Sequence, residues 1–298
     1  MTFFLFQFLA FWHIGAQESL PLNFNGPLPK VQSLRCHKMQ EILKSEIDQN
    51  KRWKKLISNK KMSISIVDLH DPNQVTYAGL NDNQMMYAAS LPKIAVLLAA
   101  MDAINNHEIV ETDAMRKDMK LMISKSNNQA TTRIIDLLGF EKIESSLRNA
   151  NHKLYDETTG GGLWVGKRYA STGKRYPDPL KGLSHGATSA QVASFYYQLV
   201  FGRLINQEQS KRMLEVLKDP ALTHKFVNTL KKIAPESTVY RKSGSWKTYH
   251  SDSVLVWGKD RKYILVALID DGGGEQIIRD LVVPLESVIS KSRKYSCN

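Results

Sequence analysis

The sequence predicts an α/β fold of the α+β kind, in which one antiparallel sheet is assembled from both ends of the chain and carries a helical insertion. Three observations predict it. Two strand-like runs, Met62–Leu69 and Gln74–Ala78, lie early in the chain. Three more, at 238–244, 253–257 and 263–269, lie late. Between about residues 90 and 233 the apolar positions recur at helical spacing instead. Strands at both termini with helices between them pair most simply in a single sheet, and the seam between sheet and insertion is a natural place for a site.

In order, residues 31–57 read as an amphipathic helix through Val31, Leu34, Met39, Ile42, Leu43 and Ile47, with a basic outer face. Met62–Leu69 alternates, Asp71-Pro72-Asn73 turns, and Gln74–Ala78 returns, so the two make a hairpin. Ser90-Leu91-Pro92-Lys93 then opens a helix running to about Asn105. Pro92 is tolerated only in a first turn, and the Ala/Leu-rich run after it is a strong helix former. Residues 116–124 and 129–138 read as helices on either side of Ser126-Asn127-Asn128, and 140–150 as a short helix after Gly139. Residues 151–186, with three consecutive glycines and no clean period, form a loop long enough to be functional. Helices follow at 188–203, 207–218 and 221–233, and one at 274–294 closes the chain after the late strands.

A chain of 298 residues suits one large domain or two intimately packed ones. The apolar run Phe3–Trp12 followed by Ile14-Gly15-Ala16 reads as a signal peptide over 1–16, although no basic residue precedes Lys30. It is too short to span a bilayer, so stable membrane insertion is not expected. Residues 17–298 then form the domain, with its sheet part at about 31–85 and 235–298 and its helical part at about 90–233. Export predicts a periplasmic or secreted protein, in which two cysteines, Cys36 and Cys297, fit one disulfide. The histidines are scattered, which gives a metal site no support, and nothing implies a cofactor. The net charge of +12 comes from short dispersed groups such as Lys51–Lys55, without a helix-turn-helix or zinc-finger framework, so a nucleic-acid partner is not expected.

Three short motifs stand in order: Ser90-Leu91-Pro92-Lys93 at a helix start, Ser126-Asn127-Asn128 between helices and Lys242-Ser243-Gly244 in a strand. On a helix, residues three apart share a face, so Lys93 can lie beside the Ser90 hydroxyl and activate it. The order and positions of the three match the S-x-x-K, S-D-N and K-T-G elements. The chain therefore resembles the penicillin-recognising serine enzymes, specifically class A β-lactamases, over nearly all of its length after the leader.

The resemblance implies a β-lactamase/transpeptidase-like fold and an acyl-enzyme mechanism. Ser90 would be the nucleophile, Lys93 its proton acceptor, and Ser126 the hydroxyl that passes a proton to the leaving nitrogen. Asn128 would bind the acyl side-chain amide of the substrate. Lys242 and Ser243 would hold its carboxylate, Gly244 would let it lie along the strand, and the backbone N–H groups of Ser90 and Ser245 would form the oxyanion hole. The expected partner is a small β-lactam or a peptidoglycan-derived substrate, bound by a monomer. The resemblance also places the terminal helices side by side, which implies the Cys36–Cys297 bridge.

Three departures stand out. Asn127 replaces the usual Asp, and Ser243 the usual Thr. Ser126 follows Ser90 by only 36 residues, which shortens one wall of the cleft. The loop at 151–186 lacks the E-x-x-L-N element whose glutamate activates the deacylating water; Glu157 is its only glutamate and the first candidate for that base, with His185 and His250 as alternatives. Acylation is thus better supported than rapid hydrolysis. That leaves a D,D-peptidase, an esterase or a β-lactam-binding sensor open beside the β-lactamase reading.

Overall fold

The computed structural model describes residues 19–24, 26–295 and 297. The expected signal peptide at 1–16 lies outside the described residues. After a short 3-10 turn at Val31–Leu34, the expected first helix is two: α1 (His37–Asp48) and α2 (Lys51–Ser58). The break falls at Asn50, whose side chain accepts the Arg52 and Trp53 N–H groups as an N-cap and so starts a new axis. Strands β1 (Met62–Asp68), β2 (Thr76–Leu80) and β3 (Met86–Tyr87) follow.

The helical part begins with α3 (Lys93–Asn105), α4 (Asp113–Ser124), α5 (Asn128–Leu138) and α6 (Phe140–Arg148). The segment expected to be an irregular loop contains four short strands: β4 (Tyr155–Asp156), β5 (Gly161–Gly162), β6 (Trp164–Val165) and β7 (His185–Ala187). Then come α7 (Ser189–Val200), α8 (Gln207–Leu217) and α9 (Phe226–Ile233). Strands β8 (Thr238–Trp246), β9 (Tyr249–Trp257) and β10 (Lys262–Asp270) lead to α10 (Gly274–Ser292).

The main sheet has the order β2-β1-β10-β9-β8 with every neighbour antiparallel, so β1 from the start of the chain pairs directly with β10 from its end. Strand alternation sorts the side chains into two cores. Leu265, Ala267 and Ile269 of β10 face α1, α9 and α10, while Ile264, Val266 and Leu268 face the helical part. Burial on both faces explains why β10 is a nearly continuous apolar run. Helix α3 runs through the middle of the second core; Lys93 and the ten residues after it are all buried. That burial gives the N-terminus of α3 a fixed place beside the edge strand β8.

Candidate active site

The three motifs converge at the junction of α3, the α4–α5 connection and β8. Ser90 does not itself open the helix as expected. It sits in a turn three residues before the first helical residue, Lys93; the residue ahead of the helix is Pro92, with no side-chain cap. Ala89 lies in the left-handed region at φ +51°, which is uncommon for a residue with a β-carbon. This bend carries the half-buried Ser90 to the wall of a cleft of about 870 Å³, where its hydroxyl has no hydrogen-bond partner among the described residues.

The bend is clasped to β8. A β-carbon on Gly244 would stand 2.4 Å from the Ala88 carbonyl oxygen and 2.5 Å from the Ser90 nitrogen, so only glycine admits this approach. On β9, Ser251 Oγ donates to Ala88 O at 2.8 Å and adds a second fastening. The glycine expected to make room for substrate thus makes room for the backbone of the Ser90 turn.

Lys93 is buried, with no counter-ion among the described residues. Its Nζ donates to Ser126 O and Asn128 Oδ1, both at 2.7 Å, with Ser126 Oγ at 3.4 Å, and the Tyr169 ring covers it at 4.4 Å. Burial lowers its pKa to about 7, which makes a neutral amine available near physiological pH. Ser126, itself at φ +55°, lies between two lysines, since Lys242 Nζ donates to its Oγ at 2.9 Å. Asn127 accepts the Ala130 N–H and caps α5, a task Asn performs as well as Asp. Asn128 lines the cleft with its carbonyl oxygen held by Lys93 and its amide N–H₂ unpaired among the described residues.

Two placements differ from expectation. Lys242 and Ser243 are 1% and 4% exposed and do not line the cleft; the Lys242 amine also donates to Ser243 O at 2.7 Å. Burial, the neighbouring Lys93 charge and Arg241 push the Lys242 pKa well down. Of that strand it is Ser245 and Trp246 that reach the cleft wall. Glu157 is the second. It is exposed, paired with Arg148 at 2.6 Å and away from the cleft. The glycines after it pack the chain against Asn83 and Met85 instead of folding it over Ser90.

His185 does line the cleft, but its ring nitrogens lie at 3.2 Å from Ser184 Oγ and 3.0 Å from Lys167 O. Burial lowers its pKa to about 4, so the imidazole is neutral. His250 lies on β9 against Gly274 and outside the cleft lining. None of the described residues that line the cleft is a carboxylate.

Tyr169 and Lys225 escaped the sequence reading. Tyr169 donates to Ala89 O at 3.1 Å and packs on His185, which closes the space above Lys93. Buried Lys225 grips the other side of the motif strand, donating to Gly244 O, to Ser245 Oγ at 2.8 Å and to Ser251 O at 3.0 Å, and burial lowers its pKa to about 8. Its loop is held by Arg241, which pairs with fully buried Asp252 at 2.7 Å and donates to the Leu222 and His224 carbonyls.

A serine on a strained turn, a desolvated lysine one helical turn on, and a second serine bridging to a strand lysine define a penicillin-recognising serine enzyme. The chain belongs to the β-lactamase enzyme family, whose sequence profile matches residues 48–120 and 114–283. No curated protein matches the chain. Among solved structures it is similar to a β-lactamase from Sphaerobacter thermophilus DSM 20745, with 16% identity and TM-score 0.63 over 84% of this chain and 94% of that one. It is similar to PBP-A at 16% identity and TM-score 0.63, covering 90% of this chain and all of that one. The TLA-3 extended-spectrum β-lactamase is 13% identical, with TM-score 0.64 over 85% and 98%. At these identities the likeness establishes the fold.

Proposed function

We propose that this protein is an exported serine hydrolase of the class A β-lactamase type that opens β-lactam amide bonds through a Ser90 acyl-enzyme. The observation that carries the reading is Ser126 between the Lys93 and Lys242 amines beside the open Ser90 turn. Neutral Lys93 takes the Ser90 proton, the Ser90 oxygen bonds to the carbonyl carbon, and the carbon–nitrogen bond breaks as Ser126 delivers a proton to the nitrogen. The Ser90 and Ser245 N–H groups serve as oxyanion donors, and Asn128 takes the acyl side-chain amide. The Cys36–Cys297 bridge supports a periplasmic or secreted location, and the protein acts as a monomer on a small substrate.

A second reading has a specific observation behind it. With no carboxylate among the described residues of the cleft wall, the family's usual activator of the deacylating water has no counterpart there, which favours a long-lived acyl-enzyme: a penicillin-binding protein or slow D,D-peptidase. One solved neighbour at TM-score 0.62 is a point mutant of PBP-A described as an acyl-enzyme complex with penicillin G.

Incubation with a chromogenic cephalosporin, read by both turnover and intact mass, separates the two readings. Wild type is expected to react through one covalent adduct on Ser90, and Ser90→Ala to form none and turn nothing over. Lys93→Ala should slow acylation by about 10²–10⁴-fold, the usual worth of a positioned proton acceptor. Labelling of Ser90→Ala at the wild-type rate overturns the nucleophile assignment. Continued turnover without adduct accumulation selects the hydrolase, and a stable adduct selects the binding protein.

A further inference from the structure

Resting on the acyl-enzyme reading, the geometry points to a substrate class: we propose that the preferred acyl donor is polyanionic, a carboxylate-rich peptide-like acyl chain whose charges are met by the cleft rim and not by the motif lysine. The lysine expected to hold a substrate carboxylate, Lys242, is sealed behind Ser126. An anion entering the cleft therefore meets the cations that do line it: Lys167, Arg168 and Arg175 on the segment after β6, and Lys247 at the β8–β9 turn. Both segments line the same cleft as Ser90.

Arg168 is partly neutralised by an ion pair with Asp136, which does not line the cleft. Lys167 and Arg175 donate to the backbone carbonyls of Ser171 and Gly182, which leaves their charge uncompensated. Among the described residues no carboxylate pairs with Lys167, Arg175 or Lys247. Four cations and no anion among the described residues of one concave wall focus a positive potential where a substrate must enter. Guanidinium forks match carboxylates in particular. Trp246, 57% exposed, and the contacting Tyr87 and Tyr249 rings give the same entrance an apolar side against which a peptide-like chain can lie.

The test uses two β-lactams with the same ring and acyl arms of equal length, one ending in two glutamates and the other in two glutamines. The second-order rate of Ser90 acylation is read by intact mass. At low ionic strength the glutamate arm is expected to acylate about tenfold faster, as steering by a focused field predicts. The advantage should fall to within about twofold in 0.5 M NaCl, where charges are screened over a few ångströms. The triple variant Lys167→Gln/Arg175→Gln/Lys247→Gln should bring the ratio towards one even at low salt. Equal rates for the two arms in wild type at low salt overturn the proposal while leaving Ser90 acylation standing. A ratio that ignores both salt and the triple variant overturns it as well. Failure of both compounds to label Ser90 removes the acyl-enzyme reading and this inference with it.

Discussion

At the scale of single residues, Lys93 and Tyr169 form a unit in which the ring excludes water and the amine loses its proton near neutrality. On the proposed mechanism acylation needs the neutral amine, so its rate should rise with pH through about 7 and level off above. Tyr169→Ala admits water to the amine, weakens the desolvation and moves that limb towards the ordinary lysine range; Tyr169→Phe keeps the ring and should keep the wild-type limb. A limb that stays in place in Tyr169→Ala would show that the ring does not set the lysine's state. The same depression links to stability. The folded-state pKa lies below that of an unfolded lysine, so between about pH 7 and 10 the unfolded chain binds more protons. This contribution therefore grows as pH rises through that window and is lost as pH falls towards 7. Ser90, Lys93, Ser126 and Lys242 were legible because each motif is local. Tyr169 was not, since its role arises from a loop folding back over a helix about 75 residues earlier in the chain, and neither was the left-handed backbone at Ala89 and Ser126.

At the scale of elements, the edge strand β8 is the template on which the site is assembled, held by Lys225 on one side and docked to the Ser90 turn on the other. Gly244→Ala tests the docking. The added methyl overlaps the Ala88 oxygen and the Ser90 nitrogen, and because both are backbone atoms the strand or the turn must shift. Overpacking of this kind costs about 1–3 kcal/mol of stability, and a displacement of the nucleophile by an ångström lowers acylation roughly 100-fold. Denaturant melts and single-turnover mass spectrometry measure the two losses. A variant that acylates at the wild-type rate would mean that Ser90 is not positioned through this contact. The sheet's composition from both termini could be read from the strand runs, and α3 from its apolar sequence. The split between α1 and α2 was also written in the sequence, in Asn50 ahead of Lys51, but the apolar spacing runs across it. The short strands within 151–186 carry no periodic signal because two-residue pairings are made by tertiary contacts alone.

At the scale of the whole molecule, the sheet joins β1 to β10, and the disulfide joins Cys36, the N-cap of α1, to Cys297 beyond α10, 261 residues away. Cys36 lies in the core on the face of the sheet that holds α1 and α10, and partly buried Cys297 packs against it, whereas the cleft opens between β8 and the helical part. The bridge should therefore contribute to stability and not to chemistry. Closing so long a loop restricts the unfolded chain, and loss of the bond is expected to cost about 2–5 kcal/mol. For a domain of this size that lowers Tm by roughly 3–9 °C. Cys36→Ser/Cys297→Ser should melt earlier by that margin yet acylate at the wild-type rate at 25 °C, since α1 and α10 are held to each other and to the sheet by buried side chains such as Met39, Leu43, Ile278 and Leu281. Thiol titration of the denatured, unreduced protein should find no free cysteine. Two free thiols would show the bridge unformed in solution, and a parallel fall in acylation with intact folding would show that the cleft depends on the closure of the termini.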